Sequence, residues 1–281
     1  MRAFFLACVV GALVAGAWAV GYHQDVGVPE AARLMREESA VSRIVGGFPT
    51  RSEDHPYMAG ILVTLNTGQL SVCGGTLLST TRVLTAGQCW YDGYYQGRKM
   101  EVTLGSTRLF GGWRREVANI AIHPKFDPLR PANDLAMITL AYSVSFNNYL
   151  KPALLPSLRE VNNTFVGYSA QVVGYGKTGD WVPIGPNQSK RSVSVPVIDR
   201  WDCYSDFGSA VTTDVICTRG ANGWGACAGD TGGPLVIKNY ANGSDLLIGV
   251  TSIQSPLGCE NGFGTGYMRV TAYLAWIQST L

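Results

Sequence analysis

The residues most suited to chemistry stand in residues 227–234, which read Cys-Ala-Gly-Asp-Thr-Gly-Gly-Pro and place the hydroxyl of Thr231 in a glycine-rich turn. A hydroxyl is a weak nucleophile unless a base takes its proton. Threonine nucleophiles can use a free N-terminal amine for this, but Thr231 is internal. Two earlier motifs supply candidate partners, Gln88 in Leu-Thr-Ala-Gly-Gln-Cys and Asp134 in Asn-Asp-Leu-Ala. An amide has no protonation equilibrium near neutral pH, so Gln88 cannot shuttle a proton.

Short apolar runs separated by glycine, proline and asparagine must position these residues. β-Branched residues dominate the runs, which is typical of strands in an all-β barrel or sandwich. From residue 270 to 281 apolar residues recur every three to four positions, which predicts a closing amphipathic helix. No linker long enough to separate independent domains is present. The predicted strands are 60–65, 72–78, 100–104, 117–122, 135–140, 171–174, 192–198, 235–237, 246–251 and 266–270.

Composition limits the class of protein. The chain has 281 residues, of which 46% are hydrophobic and 15% charged, so it can bury a large core. Its net charge of +2 is spread along the sequence without a run of lysine or arginine. This excludes nucleic acid and an anionic membrane surface as expected partners. No cysteine pair has metal-finger spacing, and we expect neither metal nor cofactor. We expect a monomer.

The N-terminus has the pattern of a targeting segment. Arg2 is followed by an apolar run over 3–15 and by a small-x-small cleavage pattern ending at Ala19. We expect a signal peptide over 1–19 and a secreted, extracellular protein. The alternative is a membrane anchor, but the run falls short of the about 20 residues that span a bilayer. Residues 20–43 are mixed and charged, and we expect a propeptide there.

Cysteines and glycosylation sequons fit the same compartment. Cys8 leaves with the signal peptide, and an even set of six remains, which predicts three disulfides in an oxidising environment. The spacing leaves their pairing open. Candidate glycosylation sites are Asn162, Asn187 and Asn242.

The motifs at 84–89, 133–136 and 227–234, with Arg-Ile-Val-Gly-Gly at 43–47, occur in the order of the trypsin/chymotrypsin family of serine proteases. The chain resembles that family over residues 44–281, and in particular insect chymotrypsin-like proteins. The resemblance implies an all-β fold of two six-stranded antiparallel β-barrels with a cleft between them and a C-terminal helix. It also implies the disulfides Cys73 with Cys89, Cys203 with Cys217, and Cys227 with Cys259.

The resemblance also assigns the three catalytic positions. Gln88 stands where the family has its imidazole base, Asp134 matches the orienting carboxylate, and Thr231 stands where serine is usual. The threonine methyl restricts the rotamer and crowds the approach of a carbonyl. His55 and His123 match segments that lie away from the base in family members. We therefore expect a catalytically inactive homologue that is not an enzyme.

The replacements leave an expectation for the turn around Thr231 and a second interpretation for Asp134. The backbone amides of Gly229 and Thr231 are expected to form an oxyanion hole, because the glycines rather than the hydroxyl permit that turn. Asp134 has a second interpretation as a buried acid that bonds to backbone, to Ser252 and to Gln88, since it has no imidazole to orient.

Family correspondence also places a specificity pocket and a peptide-binding strand. Gly225 lies at the pocket base, where an aspartate selects lysine or arginine, and Gln254 and Thr265 lie on the walls. Glycine indicates a neutral pocket, which Gln254 narrows. The backbone of Ser252, Ile253 and Gln254 offers strand addition to an extended peptide. The alternative is an ordinary internal strand.

Activation chemistry is the last expectation that the resemblance supplies. A trypsin-like protease would cut after Arg43, and the new Ile44 ammonium would pair with Asp230 inside the second barrel. The alternative takes Arg43 as an exposed basic residue and Asp230 as a turn former.

Two functions remain open on these residues. The first is a secreted homologue that binds protein ligands such as inhibitors, proteases or microbial surfaces. The second is a weak chymotrypsin-like endopeptidase in extracellular or digestive proteolysis, which needs an unconventional base or a solvent-assisted path.

Overall fold

The structure is a computed structural model that describes residues 21–29, 48–130, 132–182, 188–220, 223–238 and 244–281. After a short strand β1 (Phe48–Pro49), six antiparallel strands close a first barrel in the order β2-β3-β4-β7-β6-β5. Their bounds are β2 Met58–Leu65, β3 Leu70–Leu77, β4 Arg82–Thr85, β5 Gly97–Leu104, β6 Trp113–Ile122 and β7 Ala136–Leu140.

The second barrel has the order β9-β10-β13-β12-β11-β8 and closes by pairing of β8 with β9, while β1 adds to the outer edge of β9. The expected fold of two six-stranded barrels is thus confirmed. The strand bounds are β8 Ser169–Gly174, β9 Arg191–Ile198, β10 Val215–Thr218, β11 Pro234–Lys238, β12 Asp245–Ile253 and β13 Thr265–Arg269.

The two barrels meet through backbone where the glycine-rich turn touches β3. The amide of Gly74 donates to the carbonyl of Thr231 at 2.7 Å. A Cβ on Gly74 would stand 2.7 Å from the Cα of Gly233, a separation that real side chains do not reach. Glycine at residue 74 therefore lets the first barrel approach the turn that carries Thr231.

Two short helices complete the described fold. Helix α1 (Arg200–Phe207) begins at Asp199, whose side chain accepts the backbone N–H of Trp201 at 2.8 Å. Helix α2 (Leu274–Thr280) follows a 3-10 turn at Val270–Tyr273. The predicted C-terminal helix is present, but its first four residues are in the tighter 3-10 form.

Three disulfides close loops of the described fold, and Cys227–Cys259 lines the cavity between the barrels. The pairs are those that the resemblance implied, Cys73–Cys89, Cys203–Cys217 and Cys227–Cys259. Among the described residues, no helix is both long and apolar enough to cross a membrane. The expected signal peptide over 1–19 lies outside the described residues, as does most of the expected propeptide.

Candidate functional site

A cavity of about 680 Å³ opens between the barrels. It brings together residues that the sequence predicted as site residues, although they come from five separate stretches of chain. Gln88 and Asp134 are contributed by the first barrel, and the remaining residues by the second. The predicted residues on its wall are Gln88, Asp134, Gly225, Thr231, Ser252, Ile253, Gln254 and Thr265.

Gln88 lies on the 3-10 turn Gly87–Cys89, directly after β4. Its backbone N–H donates to Asp134 Oδ1 at 2.8 Å, and its side-chain Nε2 donates to Asp134 Oδ2 at 2.5 Å and to the carbonyl of Ser252 at 3.0 Å. Both side-chain N–H groups are thus engaged. The amide holds the carboxylate and β12 together but offers no proton acceptor of useful basicity.

Asp134 is 1% exposed and accepts a further hydrogen bond from Ser252 Oγ at 2.6 Å. Burial raises the pKa of Asp134 above its usual value, and the hydrogen bonds from Ser252 and Gln88 act in the opposite direction. These contacts agree with the second interpretation of Asp134, which was a buried acid that bonds to backbone, to Ser252 and to Gln88. They keep the carboxylate tied to both barrels.

Thr231 is 2% exposed and follows a turn that glycine makes possible. Gly229 has φ of 96° and Gly232 has φ of 83°, both in the region that favours glycine. Within the described residues, the amides of Gly229 and Thr231 donate to no protein acceptor. An oxyanion hole needs N–H groups that are not already donating to the protein, and its formation by these two amides stays a prediction.

Gly225, Gln254 and Thr265 line the same cavity. A Cβ on Gly225 would meet only Thr265 Oγ1 at 3.4 Å, so the base has open space and carries no charge. Gln254 Nε2 donates to the carbonyl of Cys227 at 3.2 Å, which ties this side chain to the wall. Residue 225 carries no charge into the cavity, and its role as the base of a specificity pocket stays a prediction.

Asp230 is buried behind the turn. Its carboxylate accepts the backbone N–H of Gly176 at 2.7 Å and of Cys227 at 3.0 Å. Burial raises the pKa of Asp230 to about 6, although these hydrogen bonds oppose the rise. Arg43 and Ile44, the other members of the expected activation pair, lie outside the described residues.

Neither histidine considered as a substitute base lines the cavity. His55 Nδ1 lies 2.8 Å from Tyr57 Oη and 3.2 Å from Asp245 Oδ2. His123 packs edge-on against Tyr273 and Trp276. Their contacts hold both rings in structural roles.

Two further groups of residues are an apparent metal-ligand cluster and the predicted glycosylation sites. Asp180, Cys227 and Cys259 have ligand atoms close together, but the two cysteines are joined in a disulfide and are not free thiolates. The sequon residue Asn162 is exposed, whereas Asn187 and Asn242 lie outside the described residues.

Sequence reasoning missed part of the cavity wall. Tyr22, Asp25 and Val26, from the interval expected to be a propeptide, line the same cavity as Gln88 and Thr231. Their stretch has no strong periodicity, so only its tertiary contacts reveal its position. Trp224, beside the neutral pocket, was also missed.

The fold is that of serine proteases of the chymotrypsin type. The Trypsin family model matches residues 44–277, and the chain belongs to this family. A collagenase of Hypoderma lineatum is 34% identical over 241 residues, covering 84% of this chain and 86% of that protein. Brachyurin of Leptuca pugilator is 31% identical, covering 84% and 97%. A solved structure of HL collagenase has a TM-score of 0.74 at 31% identity, covering 84% of this chain and 97% of that chain.

These relatives correct one expectation. The chain was expected not to be an enzyme, because Gln88 and Thr231 replace the usual base and nucleophile, and that expectation is wrong. The relatives are named as a collagenase, a brachyurin and serine proteases, so the family is catalytic and the comparisons point to hydrolase activity. Two replaced side chains do not outweigh this relationship.

Proposed function

We propose that this protein is a secreted hydrolase of the trypsin family whose cleft binds an extended peptide and cleaves it slowly. The observation that carries the proposal is the turn of Thr231, which lines the same cavity as Gly225 and in which, among the described residues, the amides of Gly229 and Thr231 donate to no protein acceptor. This arrangement supplies positioning and charge stabilisation. Among the described residues no histidine lines the cavity, so an imidazole base is missing, and the Thr231 methyl also crowds the attack.

Peptide binding is supported by a strand edge that no second strand covers, although the carbonyl of Ser252 already accepts from Gln88 Nε2. Strand β11 pairs with β12 only as far as Val250, so residues 252–254 have β13 on one side and the cavity on the other. An extended peptide can add to such an edge by main-chain hydrogen bonds. The uncharged base at Gly225 then favours a large apolar side chain over lysine or arginine.

Bond cleavage at this site needs solvent as the base. In the proposed step, hydroxide takes the proton of Thr231 Oγ1 and becomes water, and the oxygen attacks the peptide carbonyl carbon. The amides of Gly229 and Thr231 hold the resulting oxyanion. The C–N bond breaks as the leaving amine takes a proton from water, and a second water releases the acyl group. Without an imidazole we expect a rate about 10⁴ to 10⁶ below that of a full triad.

Secretion and activation complete the proposal. Three disulfides are typical of an oxidising compartment. A trypsin-like protease would cut after Arg43, and the Ile44 ammonium would supply the cation that buried Asp230 needs. The partners proposed are a peptide or protein ligand and this activating protease, for a glycosylated monomer.

The test uses the secreted chain cleaved after Arg43 and fluorogenic peptides with phenylalanine or leucine before the scissile bond. Turnover should be detectable, should vanish in Thr231→Ala and should persist in the exposed control Thr213→Ala. Because hydroxide is the base, the rate should keep rising with pH above 8, where an imidazole-driven rate is level. Cleavage that survives Thr231→Ala, or no cleavage by folded, cleaved protein, contradicts the proposal.

A further inference from the structure

Residues 21–29, here called the N-terminal segment, lie against the first barrel beside the cleft. The segment forms a π-helical turn over His23–Gly27. Tyr22 is 7% exposed and His23 is fully buried, whereas Gln24 is exposed. Val26 and Val28 pack against the core of the first barrel. One side of the N-terminal segment is therefore buried, and the other side is exposed to solvent.

The surface that it covers is a free strand edge. Strand β3 pairs with β2 over Leu70–Thr76 but reaches β4 only at Thr76 and Leu77. Backbone groups of residues i and i+2 point to the same edge of a strand. Because the N–H of Gly74 points to Thr231, the backbone of Val72 faces the same side, about 7 Å further along. A peptide running past Thr231 would meet this edge.

Hydrogen bonds join the N-terminal segment to that edge and to Asp92. Tyr22 Oη donates to the carbonyl of Val72. His23 Nδ1 lies 2.8 Å from Ser71 Oγ. The backbone N–H of His23 donates to Asp92 Oδ2 at 2.8 Å, and Asp92 is 4% exposed. Within the described residues, Asp92 Oδ2 accepts this one hydrogen bond, so undocking removes its protein donor.

Shape complementarity is strictest at Gly27. A Cβ there would stand 1.7 Å from Ser71 Oγ and 3.0 Å from Ser71 Cβ, so alanine would force the Ser71 hydroxyl away from its contact with His23 Nδ1. The docking surface therefore fits a short peptide that has tyrosine, histidine and glycine at the spacing of Tyr22, His23 and Gly27.

We infer that the N-terminal segment is an intramolecular ligand of the free β3 edge and covers one end of the cleft until the propeptide is released. The covering of the cleft rests on the proposed peptide-binding function, whereas the docking does not. Residues 20–43 contain no cysteine, so after cleavage at Arg43 only non-covalent contacts retain the segment.

Docking is also expected to depend on pH. Burial lowers the pKa of His23 from 6.5 to about 4, and the charge of Asp92 acts in the opposite direction. On strand β3, the group that contacts the His23 ring is the uncharged hydroxyl of Ser71. Because the docked pKa is below the free one, docking is fully favourable above pH 6.5. It weakens as pH falls through 4, by a factor on the order of 100.

Amide hydrogen exchange of the full secreted chain, uncleaved at Arg43, tests the docking. We compare wild type with Gly27→Ala, with Tyr22→Phe, which removes one donor, and with the exposed control Gln24→Ala. Residues 21–29 and 70–73 should be protected in wild type and Gln24→Ala. They should exchange at least tenfold faster in Gly27→Ala and to a smaller extent in Tyr22→Phe. Unprotected 21–29 in wild type, or equal protection in all four proteins, overturns the inference.

Binding of a fluorescent eight-residue peptide with a central phenylalanine tests the covering of the cleft. Its Kd should be at least tenfold lower for Gly27→Ala than for wild type or Gln24→Ala. Equal Kd values overturn the covering. If no form binds the peptide while the exchange pattern is as expected, the docking stands and the proposed function of the cleft fails.

Discussion

Replacing Gln88 by alanine removes the side chain that joins Asp134 to Ser252. The side chain makes one hydrogen bond to a buried carboxylate, worth about 1.5 to 3 kcal/mol, and one to a carbonyl, worth about 1 kcal/mol. We therefore expect Gln88→Ala to lower the free energy of unfolding by about 3 kcal/mol. At about 2 to 4 °C per kcal/mol for a domain of this size, Tm should fall by about 6 to 12 °C.

The pH dependence of this loss has a defined sign. Burial raises the pKa of Asp134 above its unfolded value of 3.8, so the folded state loses stability as pH rises above 3.8. Removing the Gln88 donor raises that pKa further, because the donor favours the ionised form. The drop in Tm should therefore be larger at pH 7 than at pH 4.

Differential scanning calorimetry at both pH values measures these changes. Gln278 is exposed on helix α2 and gives a matched control. Gln278→Ala removes the same type of side chain from a position where it has no buried partner. A change below about 1 °C at pH 7, or equal losses at pH 4 and pH 7, would refute the view that Gln88 holds the buried carboxylate.

Three further predictions follow from other parts of the site. Cleavage after Arg43 should raise Tm more at pH 7 than at pH 4 in a scanning measurement, since the new ammonium relieves ionised Asp230; a uniform rise contradicts this. Exchange of residues 21–29 should quicken between pH 6.5 and 4 beyond the intrinsic rate, unless His23 is replaced by asparagine. Gly225→Asp should shift cleavage or binding from apolar peptides toward lysine and arginine peptides by at least tenfold, and an unchanged preference places the pocket elsewhere.

The sequence predicted the site better than the elements around it. Gln88, Asp134 and Thr231 stand in local motifs, and the structure brings all three to one cavity. Strands β4 and β10 were not predicted, because each has only four residues and a short run lacks periodicity.

Features built from distant contacts could not be predicted. Helix α1 buries only Cys203 and Phe207, so its apolar residues form no repeating pattern. The N-terminal segment contacts residues 48 to 69 positions away along the chain, and its own sequence has no strong pattern. Its position depends on a strand edge that exists only after the first barrel has closed.

Under the proposed function, the cleft still binds peptide and stabilises an oxyanion but has no imidazole base. The most direct measurement compares kcat/KM and peptide Kd for the cleaved wild type and the cleaved double variant with Gln88→His and Thr231→Ser. We predict that kcat/KM rises by a factor of about 10⁴ or more while Kd changes less than about threefold. A folded, cleaved double variant without this gain, or a gain that arises from tighter peptide binding, would contradict the account.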